Sequence, residues 1–356
     1  MDFFTTDTRN ALEAKEYAQW IAFAPMVFQA SRIMRDNGIL RQIEKSRRTG
    51  ITIDDLVKKT GLPMYTTRVL LEAGLGIGLV YLSEEKYFLT KTGYFLLNDE
   101  LTRVNLDFTN DVCYKGLADL DKSLVNGKPE GLKALGEWST LYEGLSTFPE
   151  PAKESWLKFD HYYSDNAFDQ VLPIVFGQKP KKILDIGGNT GKWSIACVEY
   201  SKDVQMTIMD LPGQLNMANE NIKSKGLSER IHFYEANILD EKTVFPIGFN
   251  AIWMSQFLDC FSDAEIVSIL TRCASALEDG GYIYILELFW DKQRFSASAF
   301  CLQMTSLYFT AMANGNSQMY DSKVFLKLIK QAGLEVVEQI DHIGVSHSLL
   351  KCKKIK

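Results

Sequence analysis

Lys182-Ile183-Leu184-Asp185-Ile186-Gly187-Gly188-Asn189-Thr190-Gly191-Lys192-Trp193 is an apolar run that passes through a glycine-rich turn into a helix-forming segment. Glycines at such a turn supply backbone angles that other residues resist and let a ligand reach the main chain, while the start of the helix offers unpaired N–H donors. The stretch therefore suits a nucleotide-type ligand. The dinucleotide pattern G-x-G-x-x-G, counted from Gly187, requires glycine where Asn189 and Lys192 stand. The phosphate loop G-x-x-x-x-G-K-[ST] fails as well, because Lys192 and Trp193 follow where Gly-Lys is needed. With both phosphate-binding patterns excluded, the turn fits an adenosine-like molecule that carries no phosphate chain.

A second apolar run, Val204 to Met209, ends at Asp210, which lies 25 residues after Asp185. An acid at the tip of the second strand of a doubly wound sheet accepts hydrogen bonds from both ribose hydroxyls. Taken alone, an Asp in this position reads equally as a turn or helix-cap residue. From Pro180 onward apolar runs and helical segments alternate, with strands over Ile183–Ile186, Gln205–Met209, Ile231–Glu235, Ala251–Met254 and Tyr282–Glu287 and a closing hairpin from Leu334 to Lys351. The fold class is α/β, a Rossmann-like, mostly parallel sheet with helices on both faces, preceded by a mainly helical winged-helix domain. The domain division is 1–100 for the winged helix, 101–170 for a helical connector contributing to a substrate pocket, and 171–356 for the Rossmann-like part.

The N-terminal reading rests on two patterns. Ile51 to Leu62 followed by Pro63 to Ala73 gives a helix, a turn and a second helix, and Leu79 to Leu89 gives a hairpin bent at Ser83-Glu84-Glu85-Lys86. A DNA-binding regulator is the first thought such a module raises. However, its second helix offers only Arg68 as a cation, and the hairpin tip is acidic. Ahead of this module, Leu12 to Ile39 carries apolar residues on several faces of helical segments around Pro25, among them Trp20, Ile21, Phe23, Met26 and Phe28. Such a helix needs burial on several sides, which points to a homodimer.

The composition is that of an ordinary soluble protein: 356 residues, 46% hydrophobic, 24% charged, with a formal net charge of −6. This charge argues against a nucleic-acid partner. The six cysteines, Cys113, Cys197, Cys260, Cys273, Cys301 and Cys352, form no C-x-x-C pair and read as structural thiols in a reducing compartment. The four histidines show no metal-ligand spacing, so no metal is expected. The chain begins without the basic region and apolar core of a signal peptide, and the apolar run from Trp20 to Phe28 is too short for a membrane span. A cytoplasmic protein is the expectation.

Asp185-Ile186-Gly187-Gly188-Asn189-Thr190-Gly191 and Asp210-Leu211-Pro212 resemble the cofactor motifs of class I S-adenosylmethionine-dependent methyltransferases. More narrowly, nearly the whole chain is similar to the small-molecule O-methyltransferases that include plant caffeate and hydroxyindole enzymes and bacterial antibiotic-tailoring enzymes. Where that family usually has a third glycine this chain has Asn189, a residue that tolerates left-handed backbone angles. The resemblance implies S-adenosyl-L-methionine as cofactor, a small-molecule methyl acceptor, and an N-terminal module that joins subunits. It also implies cofactor-binding roles for Asp185, Gly187, Gly188, Gly191, Asp210 and Leu211, for Asn237 and Ile238 around the adenine, and for Ser255, where the family often has lysine.

The chemical positions depart from the family pattern. Met254 to Asp263 keeps the frame of the family's catalytic segment, but Asp259 falls where a basic histidine is usual. Glu287, 28 residues on, and Gln318 fall where the family places two supporting acids. Deprotonating a phenol of pKa about 10 suits a histidine near 6.5 better than an aspartate near 3.9, unless burial raises the aspartate. Two acids facing one pocket would push one of them upward. Asp259 otherwise serves only to orient the acceptor. His161 is a further candidate for the displaced base. Trp156, Phe159 and Tyr163, on one face of a helix, and Met304 and Phe309, in a later run with Phe300, Tyr308 and Met312, are candidates for a wall that holds a flat aromatic or polyketide-like hydroxyl compound. A cofactor-binding homologue with a different reaction or no methyl transfer is the alternative these departures leave open.

Overall fold

The computed structural model describes residues 4–355. Its contacts divide the chain into two compact units, one ending at Asp107 and the other beginning at Phe108.

The first unit opens with a helix over Ala11–Asp36, closed at its start by a capping box of Asn10 and Glu13. This helix runs unbroken through Pro25, where the sequence suggested separate segments. Helices Ile39–Ser46, Ile53–Thr60 and Met64–Ile77 follow, and then the antiparallel hairpin β1 (Val80–Ser83) and β2 (Lys86–Leu89). Met34, Leu40, Ile43, Leu56, Leu71 and Leu79 form its small core. Leu12, Trp20, Ile21, Phe23 and Met26 stay exposed along the first helix.

The second unit is built on a seven-stranded sheet of β3 (Lys182–Ile186), β4 (Gln205–Asp210), β5 (Ile231–Glu235), β6 (Phe249–Ser255), β7 (Leu277–Glu287), β8 (Leu334–Ile343) and β9 (His347–Lys354). The order across the sheet is β5-β4-β3-β6-β7-β9-β8. All pairs are parallel except those made by β9 with β7 and β8. The strands are continuous apolar runs because helices cover both faces. Leu184, Ile186, Ile252 and Met254 pack on one side with the helices Asp263–Ala276 and Ser322–Gln331, whereas Ile183, Ala251 and Trp253 pack on the other with Phe168–Phe176 and Lys192–Tyr200.

β7 starts at Leu277, earlier than the Tyr282 start expected from sequence, because Leu277 pairs with Phe249 across Gly280 and Gly281. The chain leaves β3 toward one edge of the sheet and later returns to its other side through β6. That reversal opens a crevice beyond the carboxyl ends of β3 and β6, the usual ligand position in open α/β sheets. The helix Ala152–Asp165 lines the crevice with Trp156, Phe159 and Asp160. It is tied down by Phe108 stacked on Phe159 at 3.9 Å and by Trp156 Nε1 donating to the Tyr308 hydroxyl at 2.8 Å.

No helix among the described residues is long and apolar enough to cross a membrane. Among the thiols, Cys301 is exposed and Cys260 half-buried in the crevice wall, so a uniformly buried set is not what the fold provides.

Candidate active site

The glycine turn adopts the backbone its composition requires. Gly187 and Gly191 have φ of 72° and 77°, and Asn189 takes the left-handed conformation with φ 48°. Close approach matters equally. A Cβ on Gly187 would lie 2.1 Å from the Phe257 ring, and one on Gly188 would lie 2.9 Å from Asp185 Oδ2. Gly187→Ala therefore combines a left-handed penalty of roughly 1–2 kcal/mol with a ring clash. A lower Tm and at least a tenfold loss of affinity for S-adenosylhomocysteine in calorimetry are expected; unchanged affinity would show that the turn does not bear on the ligand.

Asp185 and Asp210 anchor this turn. Asp185 Oδ2 accepts from the Ser194 hydroxyl at 2.6 Å, and burial pushes its carboxyl up to about 7, opposed by that hydrogen bond and reinforced by the charge of Asp210. Asp210 Oδ2 accepts from the Asn189 N–H at 2.9 Å and Oδ1 from the Leu211 N–H at 2.7 Å. Its burial pushes it to about 6 against those two bonds. Both carboxylates line the crevice, as do Gly187, Gly188, Leu211, Asn237, Ile238 and Ser255. Gly191 does not reach it; it starts the helix Lys192–Tyr200 and faces Ile208 and Ile222. Asn237 also acts as a turn residue, its Oδ1 accepting from the Leu239 N–H at 3.0 Å.

An adenosyl ligand fits this end of the crevice. Ser255 Oγ and Asn189 Oδ1 are buried there without a hydrogen-bond partner, and such atoms call for one. Among the described residues no cluster of ligating side chains suits a metal ion.

The other half of the crevice is aromatic. Tyr142, Trp156, Phe159, Tyr308 and Phe309 line it, with Asp259 and Cys260 at its polar point. Asp259 is only 4% exposed, and burial lifts its carboxyl to about 7, the Cys260 thiol working the other way and Asp160 adding to the rise. Cys260 Sγ lies 3.4 Å from Asp259 Oδ1.

Glu287 corrects the expectation of two acids facing one pocket. It is fully buried and does not line the crevice; its Oε1 instead accepts from the Phe257 and Leu258 N–H groups at 3.0 and 2.8 Å. Its carboxyl is raised well above the ordinary range by burial and by the negative charge of Asp259. It holds the loop that carries Asp259. Gln318 is exposed and outside the crevice wall, while its neighbour Met319 lies in it.

Two further differences concern side chains on the helices. Tyr163 is buried beside Phe159, with ring centroids 5.0 Å apart, and is not a wall residue, although it shares a helical face with the lining residues Trp156, Phe159 and Asp160. Met304 is 44% exposed, whereas Thr305, Tyr308 and Phe309 point to the crevice. His161 sits with the glycine turn, its Nε2 3.2 Å from Thr190 Oγ1 and its Nδ1 3.5 Å from Asp165.

Several wall residues escaped sequence reasoning. Gln256, with a left-handed φ of 47°, accepts at Oε1 from His347 Nε2 at 2.7 Å and donates to Asp160 Oδ1 at 3.3 Å. Full burial drives His347 down to about 3, so it is a neutral donor. Asp160 in turn accepts at Oδ2 from the Asn189 amide at 3.0 Å. This chain of bonds joins β9, the segment after β6, the covering helix and the glycine turn. No local motif announces it. Asn314, which donates to the Cys260 carbonyl and lines the crevice, belongs to an Asn-Gly-Asn stretch that no sequence motif singles out.

A parallel sheet with an acid-pinned glycine turn at its switch point, opening into an aromatic chamber, defines the class of adenosyl-cofactor enzymes acting on small molecules. The chain matches the O-methyltransferase domain over residues 165–335 and the Dimerisation2-like domain over residues 15–87, and it belongs to the S-adenosylmethionine-dependent small-molecule methyltransferases. It is 23% identical over 331 residues to an L-tyrosine C(3)-methyltransferase of Streptomyces lavendulae, covering 91% of this chain and 88% of that one. Over a shorter stretch of 114 residues it is 29% identical to a 3-hydroxy-5-methyl-1-naphthoate 3-O-methyltransferase of Streptomyces sahachiroi, covering 32% of each chain. Its fold is shared with a solved O-methyltransferase from neocarzinostatin biosynthesis, in complex with S-adenosylmethionine and 2-hydroxy-5-methyl naphthoic acid. That likeness has a TM-score of 0.69 at 21% identity and covers 98% of this chain and all of the other. The chain is thus an enzyme that uses S-adenosylmethionine to methylate a small molecule.

Proposed function

We propose that the acceptor is a small aromatic or polyketide-like compound and that an oxygen of it receives the methyl group. Bound at the glycine turn, S-adenosylmethionine supplies an electrophilic methyl group. Asp210 takes the ribose hydroxyls, Asn237 and Ile238 flank the adenine, and the Ser255 hydroxyl and the Asn189 amide find their missing partners on the ligand. The aromatic walls fix the plane of the acceptor and exclude water, so alignment of the two reactants contributes much of the rate.

The observation that carries this reading is a buried carboxyl, Asp259, at the aromatic end of the crevice and raised to about 7. An aspartate raised in this way lies closer to a phenol near about 10 than one at its ordinary value, so proton transfer to it is less uphill. Its ionised form takes the acceptor proton, and Glu287 keeps its loop in place through the backbone N–H groups of Phe257 and Leu258.

The exposed apolar helix face of the first unit, together with the Dimerisation2-like match, supports a homodimer built through a winged-helix domain over residues 1–100. Residues 101–170 then form the connector and chamber wall, and 171–356 the cofactor-binding domain.

The experiment is incubation with methyl-labelled S-adenosylmethionine and a set of hydroxylated naphthalenes and anthracenes, with the product resolved by NMR. A methyl ether is the expected product. Label on a ring carbon or on nitrogen alone would assign a different acceptor atom and remove Asp259 from its role toward a hydroxyl.

A further inference from the structure

We propose that the acceptor enters this pocket without a carboxylate, as a hydroxyarene that carries no negatively charged substituent. The inference rests on the methyl-transfer reading above and narrows its substrate class. Its basis is the charge inventory of the crevice.

Six acids line it: Glu143, Asp160, Asp165, Asp185, Asp210 and Asp259. The basic groups among the described lining residues are Lys192 and His161, and both lie beside Asp165, Lys192 paired with it and the His161 Nδ1 making no hydrogen bond. Lys192 Nζ lies 2.6 Å from Asp165 Oδ2, and His161 Nδ1 lies 3.5 Å from Asp165 Oδ1. His161 is further held to the glycine turn by Thr190. No arginine appears among the described lining residues.

In the aromatic half, beside Tyr142, Trp156, Tyr308 and Phe309, the charged lining side chains are acids: Asp259, Asp160, which acts on both Tyr308 and Asp259, and Glu143, the chain neighbour of Tyr142. A carboxylate brought in there would surrender its hydration with no cation to replace it, and it would face a like charge across a chamber of low polarity. It would also hold the Asp259 proton in place, since a neighbouring negative charge disfavours ionisation. Binding and proton removal would suffer together. A cationic cofactor meets the opposite situation, because the same acids favour its sulfonium. The solved relative that holds a naphthoic acid shows that the fold itself admits aromatic carboxylates. The exclusion therefore belongs to the side chains of this chain and not to the architecture.

The test compares free acids with their methyl esters on three frames: a hydroxybenzoic acid, 3-hydroxy-2-naphthoic acid and a hydroxyanthracene carboxylic acid. Binding to the full-length protein is measured by calorimetry in the presence of S-adenosylhomocysteine, and turnover is measured separately with S-adenosylmethionine. The ester of at least one frame should bind at least tenfold more tightly than its acid. Asp259→Asn, read by binding alone, should narrow the gap between acid and ester without closing it, because the like charge at that position is removed while the lost hydration still has no cation to replace it. An acid bound as tightly as its ester by the unaltered protein overturns the inference while leaving methyl transfer intact. If neither member of any pair binds although S-adenosylhomocysteine does, the aromatic-acceptor reading itself falls, and this inference falls with it.

Discussion

Asp259→Ala is expected to lower turnover by a factor of about 10²–10⁴, the usual worth of a positioned general base, while affinity for S-adenosylhomocysteine stays within about threefold. Separation of the two effects follows from geometry. Asp259 stands at the aromatic end of the crevice, whereas Asp210, Asn189 and Ser255 define the other end. Equal losses of turnover and cofactor affinity would show that Asp259 supports the pocket as a whole.

The pH dependence offers a second view of the same group. With its carboxyl at about 7, the rate of the unaltered enzyme should rise with pH through that region and then level off. Stability should move the opposite way. An unfolded aspartate ionises near 3.9, so between about pH 4 and 7 the unfolded chain releases a proton that the folded chain retains. The contribution of Asp259 is thus fully present below about pH 4 and lost as pH rises through 7. Asp185, at about 7, and Asp210, at about 6, act in the same direction. Asp259→Asn removes the part due to Asp259. Its Tm should exceed that of the unaltered protein by several degrees at pH 8, with the advantage vanishing at pH 4. A thermal scan in buffers at both values checks the sign; an equal difference at the two would place the cause elsewhere than ionisation.

Asp210→Ala should weaken S-adenosylhomocysteine binding by at least about 100-fold. Hydrogen bonds to an ionised group contribute about 1.5–3 kcal/mol each, and two ribose hydroxyls lose theirs at once. The substitution also releases the Asn189 N–H, held now at 2.9 Å, and so loosens the turn itself. Asp210→Asn retains one acceptor oxygen and should fall between the two. Calorimetry with both variants decides the matter, and an affinity within threefold of the unaltered protein for Asp210→Ala would refute the role of this carboxylate.

The cofactor half of the site was legible in the sequence because its determinants are local. A strand that ends in Gly187-Gly188-Asn189-Thr190-Gly191 has few ways to turn, and the left-handed angles of Gly187, Asn189 and Gly191 are what those residues permit. Strand positions followed from apolar runs bounded by turns, and five parallel strands and a closing hairpin stand where the pattern put them, apart from the early start of β7.

The acceptor half was legible only in part. Asp259 could be placed through the resemblance of Met254 to Asp263 to the family's catalytic segment, but whether Glu287 faces the crevice or the backbone depends on side-chain direction at a strand end. Spacing does not carry that information. At Met304 a face chosen from periodicity is off by one position, and one position rotates a side chain by about 100°, whereas Tyr163 lies on the expected helical face and packs against Phe159 instead. The bonds from His347 through Gln256 and Asp160 to Asn189 span 91, 96 and 29 positions of the chain, so no window could have held them.

The sequence by itself determined the parallel sheet, the glycine turn and the carboxylate at the tip of its second strand, because those features arise from short-range backbone sterics and the burial of contiguous apolar runs. Tertiary structure alone decided that Glu287 serves the backbone, that Gln318 lies outside, and that burial raises the Asp259 carboxyl. The reason is physical: a carboxyl acquires its pKa and its role from the water it loses and the charges brought beside it, and chain segments distant in sequence settle both.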